Sequence, residues 1–117
     1  MRHLLVVEDD DGLARSIAAC ASPLGWLPTH AKAADEGLTA LTNAAWQAVL
    51  CDLQLPGSSG LAVIAAAAKL EPRPHIIAMT GMADAAFFLE VARRAGATAI
   101  LPKPFTADEL ATALATS

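Results

Sequence analysis

Ala48-Val49-Leu50-Cys51-Asp52-Leu53-Gln54-Leu55-Pro56-Gly57 is the stretch that decides the fold. Four consecutive apolar residues run into a carboxylate, and a proline–glycine turn follows. A strand with no polar residue along 48–51 has no wet face. Strands buried on both faces belong to parallel sheets covered by helices. The same pattern, a short apolar run ending in a chemically active residue, recurs on either side of this stretch.

Upstream, Leu4-Leu5-Val6-Val7 forms the first such run and ends in Glu8-Asp9-Asp10-Asp11. A helical stretch follows, with Leu13, Ile17, Ala21 and Leu24 at three-to-four spacing. Asp11 is placed to cap it, and Pro23 and Gly25 mark its end. Trp26 to His30 reads as a weak second strand. Pro28 cannot donate to a ladder, so this strand belongs at an edge. Helix two is expected over Ala33 to Asn43, with Leu38 and Leu41 inward. Downstream of the opening stretch, helix three shows Leu61, Ile64, Ala65 and Ala68 on one face, and Pro72 and Pro74 close it. Strand four is His75 to Met79 and helix four Ala83 to Ala95, with Gly96 at its C-terminal end. Strand five is Thr98 to Leu101, and helix five begins after Phe105. Five strand–helix alternations give an α/β, doubly wound, five-stranded parallel sheet in a single domain, residues 1–117.

Composition narrows the function classes. Of 117 residues, 55% are hydrophobic and 17% charged, which is a globular composition able to bury its own core. No apolar run approaches a membrane span, so no membrane association is expected. The opening run is too short for a secretory signal. Cys20 and Cys51 lie in apolar patterns and read as buried free thiols of a cytoplasmic protein. A net charge of −4 without a basic patch makes direct nucleic-acid binding a poor fit. His3, His30 and His75 lack metal-ligand spacing, and Trp26 and Trp46 read as packing residues.

In doubly wound folds, ligands bind outside the carboxyl ends of the strands. Those ends carry Glu8 and Asp9, Asp52, Thr80-Gly81, and Lys103-Pro104-Phe105. Carboxylates held together need a cation between them. Mg²⁺ suits this set, because it takes oxygen ligands and keeps exchangeable waters. An aspartate can act as nucleophile and form an aspartyl phosphate. Lys103 supplies positive charge for phosphoryl oxygens, and Thr80 can donate a hydrogen bond to the product. Asp10 and Asp11 read more simply as cap and first-turn charges on helix one.

Four motifs, in order along the whole chain, then resemble the response-regulator receiver domains, which are CheY-like. They are Val6-Val7-Glu8-Asp9-Asp10, Asp52-Leu53-Gln54-Leu55-Pro56-Gly57 with Gly60, Ile77-Ala78-Met79-Thr80-Gly81, and Leu101-Pro102-Lys103-Pro104-Phe105. The resemblance implies a flavodoxin-like (βα)5 fold with strand order 2-1-3-4-5. It implies that Asp52 accepts a phosphoryl group from a histidine kinase or histidine phosphotransfer protein in a Mg²⁺-dependent reaction. It makes Asp9, Asp52 and the backbone carbonyl of Gln54 direct metal ligands, and Glu8 a ligand through water. Lys103 would pair with the phosphoryl oxygens, across a cis bond to Pro104. The output would pass through the face made by the fourth helix, fifth strand and fifth helix, to a downstream partner or effector domain. The chain would be a signalling switch, acting as a monomer or weak dimer, and no enzyme beyond its own phosphorylation and dephosphorylation.

Three positions depart from the family pattern. Ile100 stands where an aromatic switch residue is usual, and Gly81 where alanine is usual. Met82 occupies a position often polar, and an apolar side chain there predicts slow loss of the phosphoryl group. Adjacent Phe87 and Phe88 cannot both face one core, so one is expected on the partner face. Three other functions remain in comparison. A receiver-like binding module could act without phosphorylation. A small Asp-nucleophile phosphatase would carry a second Asp where Gln54 stands. A flavodoxin-like cofactor binder lacks its glycine-rich phosphate loop. Met1 abuts the first strand and reads as a natural start, while the chain is equally readable as a whole regulator or a receiver from a longer one.

Overall fold

The computed structural model describes residues 2–81 and 85–115. Five strands, β1 Arg2–Val7, β2 Trp26–Ala31, β3 Ala48–Asp52, β4 His75–Thr80 and β5 Ala99–Pro102, pair in parallel in the order β2-β1-β3-β4-β5. The helices are α1 Asp11–Ala21, α2 Ala34–Asn43, α3 Leu61–Ala68, α4 Ala85–Ala95 and α5 Ala107–Ala115. The expected doubly wound fold and strand order are therefore present, and Pro28 does sit on an edge strand.

The continuous apolar runs are explained by the alternation of side chains across a strand. Leu5, Val7, Val49, Cys51, Ile76 and Ala78 point to one side, where they meet α2, α3 and α4 through Leu41, Ile64 and Ala92. Leu4, Val6, Leu50, Ile77 and Met79 point to the other, against Ile17 of α1 and Leu110 of α5. Removing both faces of β1, β3 and β4 from water is the main source of stability, at about 1.5–3 kcal/mol for each large side chain.

Several local readings are corrected. Asp10, not Asp11, caps α1: its Oδ1 accepts the N–H groups of Gly12 and Leu13, and Asp11 is the first helical residue. Leu38 is on the outer side of α2, over a third exposed, while Leu41 is buried. In α3 the buried residues are Val63, Ile64 and Ala67. This helix is apolar nearly all round, so its sequence offers no stripe from which to orient it. The turn-rich segment after β3 contains a small hairpin, Gln54–Leu55 paired with Ser58–Ser59. Helix α5 opens with a capping box that the sequence reading passed over. Thr106 Oγ1 accepts the Glu109 N–H, and Glu109 Oε1 accepts the Thr106 N–H. Near its other end, His75 Nε2 donates to the Ala113 carbonyl at 2.8 Å, and Thr98 Oγ1 lies 2.6 Å from His75 Nδ1.

Two glycines are fixed by their surroundings. Gly96 ends α4 at φ +125°, with its N–H on the Ala92 carbonyl, as a left-handed helix terminus requires. Gly60 has ordinary dihedrals but no room, since a Cβ there would lie 2.0 Å from the Asp52 carbonyl oxygen and 2.9 Å from Cys51 Sγ. Gly60 thus lets the start of α3 press against the end of β3. Gly60→Ala is expected to destabilise the domain by about 2–3 kcal/mol through overpacking, read from urea unfolding midpoints. A loss near zero would mean that the loop yields freely.

Candidate functional site

The parallel order carries the C-terminal ends of β1, β3, β4 and β5 to one edge of the sheet. Glu8 and Asp9 follow β1, Asp52 ends β3, Thr80 ends β4, and Lys103 follows β5. Glu8, Asp52 and Thr80 are buried, and Asp9 is exposed.

Lys103 joins the set. Its Nζ lies 2.7 Å from Glu8 Oε1 and 2.8 Å from Asp52 Oδ2. The main chain aims it, because the Lys103 N–H donates to the Thr80 carbonyl at 2.7 Å, and the Lys103–Pro104 peptide is cis, as expected. The second oxygen of each carboxylate is also held. Glu8 Oε2 accepts the Asp10 N–H at 3.0 Å, and Asp52 Oδ1 accepts the Gln54 N–H at 2.8 Å. Asp10 therefore links the acid pair to the cap of α1, a connection that its role as a helix-start charge alone did not reveal.

The electrostatics follow from burial. Desolvation pushes the Glu8 carboxyl above its ordinary value, and the Lys103 hydrogen bond opposes this without cancelling it. Burial acts to lower the Lys103 ammonium, but the hydrogen bonds and charges of Asp52 and Glu8 outweigh it and hold it above its ordinary value. Cys51, behind Asp52, has its thiol pushed up by burial and the two acids, which makes it a packing group and a poor nucleophile.

One oxygen each from Glu8, Asp9 and Asp52 lies within 4.8 Å of the others, so the three can hold a metal ion together. Hard carboxylate oxygens of this kind suit Mg²⁺ or Ca²⁺. No histidine joins such a cluster among the described residues. The Gln54 side chain reaches across the site, where its Oε1 accepts the Gly81 N–H at 3.3 Å. Met82, singled out in the sequence, lies outside the described residues.

Away from this edge, Ile100 is partly buried against the core, so nothing like a swinging aromatic ring occupies its place. Trp26 and Trp46 are buried packing residues. Arg2 covers the Trp26 ring, and Trp46 Nε1 donates to the Ala40 carbonyl. Phe88 packs against the core while Phe87 is 60% exposed, and the two rings meet edge to face with centroids 5.4 Å apart.

Comparison with known proteins agrees with this geometry. Residues 4–115 match the family model of the response regulator receiver domain. The uncharacterized transcriptional regulatory protein YkoG of Bacillus subtilis is 32% identical over 111 residues, covering 92% of this chain and 47% of that protein. The photosynthetic apparatus regulatory protein RegA of Rhodobacter capsulatus is 30% identical, over 97% of this chain and 61% of that protein. A Burkholderia pseudomallei response regulator, crystallised with a phosphorylated aspartic acid, a calcium ion and citrate, superimposes with a TM-score of 0.88 at 29% identity. That match covers 99% of this chain and 68% of the other. The chain spans about half the length of the curated relatives it matches.

Lys103→Met tests the ion pairs. The variant removes the group that draws the Glu8 carboxyl back down, so its folded value rises further above 4.5. A carboxyl raised in the folded state does no harm below its unfolded value and destabilises as pH climbs through its folded value. The lysine is charged throughout that range. Lys103→Met is therefore expected to lose little stability at pH 4.5 and about 2–3 kcal/mol at pH 7.5. That is below the ~3–5 kcal/mol of a sealed pair, because the lysine side chain is 24% exposed. Urea titrations at the two pH values check it, and equal losses at both would exclude charge as the cause.

Proposed function

Because this chain belongs to the response regulator receiver domain family, we propose that residues 1–117 form one receiver whose phosphoryl acceptor is Asp52. The carrying observation is the placement of its carboxylate. It stands at the end of the central strand, with Oδ1 fixed by the Gln54 N–H and Oδ2 by the Lys103 ammonium. A nucleophile held in this way spends little freedom on reaching its attack position.

The reaction is a displacement at phosphorus. An Asp52 oxygen forms the new P–O bond, the bond from phosphorus to the donor's imidazole nitrogen breaks, and that nitrogen keeps the electron pair. Lys103 already sits against Asp52 and is positioned to pair with the incoming phosphoryl oxygens. Thr80, at the neighbouring strand end, donates to the product. Asp9, Asp52 and the Gln54 carbonyl would hold Mg²⁺ directly, and Glu8 through water. When bound, the ion supplies positive charge to the transferring group. The compact set of three carboxylate oxygens supports this metal site.

Phosphorylation turns one carboxylate charge into roughly two negative charges. The added charge draws on the donors around Thr80 and Gly81, and so shifts the loop after β4. The donor is a histidine kinase or histidine phosphotransfer protein. The output leaves through α4, β5 and α5, to a partner or effector domain, and exposed Phe87 supports a contact there. The chain is a switch that acts on itself. No described helix is long and apolar enough to cross a membrane, and the free cysteines fit a reducing cytoplasm.

Incubation with Mg²⁺ and a small acyl phosphate is expected to add one phosphoryl group to the parent and none to Asp52→Asn, read by intact mass. No adduct on a parent that binds Mg²⁺ would favour a module working without phosphorylation, a reading that the Ile100 and Gly81 departures support. In thermal scans, Mg²⁺ at a hundred times its Kd is expected to stabilise the parent by about 2.7 kcal/mol, a shift of several degrees. Asp9→Asn should lose most of this shift.

A further inference from the structure

Gln54 contacts both halves of the site. Its N–H holds Asp52 Oδ1 at 2.8 Å, and its side-chain Oε1 accepts the Gly81 N–H at 3.3 Å. Gly81 follows Thr80 and lies beside the lysine, since a Cβ on it would stand 3.6 Å from Lys103 Cβ and 3.9 Å from Lys103 Cδ and Gln54 Oε1. The carboxamide therefore spans the space between the end of β3 and the loop after β4, next to the group that would face an added phosphoryl.

This placement has a chemical consequence, which rests on Asp52 being the phosphoacceptor. A phosphoryl group on Asp52 brings oxygens that need donors, and the Gly81 N–H is a backbone donor at the site. In the unmodified protein that N–H is engaged by a neutral amide oxygen. A charged acceptor forms roughly twice as strong a bond, so the phosphoryl oxygen wins the exchange.

From this geometry we infer that the Gln54 carboxamide is a latch, a stand-in acceptor that occupies the Gly81 N–H until a phosphoryl oxygen displaces it. Gln54 is then a positioning residue that sets how readily the loop after β4 changes partners. Its bond exists only before modification, so losing it favours the modified state. The bond is long and exposed, so its worth falls at the low end for a neutral hydrogen bond, about two- to fivefold in an equilibrium constant.

The test uses beryllium trifluoride with Mg²⁺ as a non-covalent phosphoryl mimic, followed by NMR of the Gly81 amide. Gln54→Met keeps the length of the side chain and removes the acceptor. It should speed solvent exchange of the Gly81 amide in the absence of mimic, and lower the half-saturating mimic concentration about two- to fivefold. Gln54→Glu should raise that concentration, because a carboxylate holds the N–H more tightly and repels the mimic. Gln54 is exposed, and amides remote from the site report that each variant remains folded. Unchanged exchange and affinity in Gln54→Met would overturn the latch, provided that the parent binds the mimic and Asp52→Asn does not. A parent that fails to bind the mimic would overturn the phosphoacceptor reading and the latch with it.

Discussion

The ammonium of Lys103 between Glu8 and Asp52 is the contact on which this structure turns. Two carboxylates are buried at adjacent strand ends, where water screens them poorly and where their repulsion would otherwise open the sheet edge. The lysine removes that repulsion from a position 51 residues beyond Asp52 and 95 beyond Glu8. The first and last strands are thereby tied to the central one by charge as well as by packing. If Asp52 is the acceptor, as proposed, the lysine would also meet the arriving phosphoryl group, so one side chain would settle the resting site and receive the charge that disturbs it.

The hydrophobic layers make such an arrangement affordable. Side chains of β1, β3 and β4 alternate into two cores, one under α2, α3 and α4 and the other under α1 and α5. The apolar runs fix the register, and register fixes which strand end meets which. Asp52 stands opposite Met79, so Thr80 lies one residue beyond it. The chemistry at the edge is thus a consequence of packing in the interior.

The parts of the fold that were legible in the sequence are those that repeat a strong signal. Runs such as Ala48–Cys51 declared buried parallel strands, and Pro28 declared an edge. Glu8, Asp9, Asp52, Thr80 and Lys103 were legible as the residues closing those runs. What was not legible depended on choices between near-equivalent residues or on contacts across the fold. Asp10 and Asp11 are both good caps, and only the backbone decides between them. Helix α3 is apolar on nearly every side, and Leu38 is apolar yet turned outward. The reach of Gln54 to Gly81 and the pressure of Gly60 on Asp52 involve residues far apart in the chain or in contact through the backbone, and neither leaves a local pattern.

Helix α5 is secured at both ends, by the Thr106–Glu109 box at its start and by the His75 imidazole on the Ala113 carbonyl near its finish. The box holds the first turn against fraying, and the imidazole ties the far part of the helix to β4. Under the proposed switch, a displacement that reaches the strand carrying His75 would be passed to the helix through that imidazole. In the proposed output, the outer surface of α5 would then shift as a unit, and a partner resting on it would sense tilt and translation with no melting of the helix.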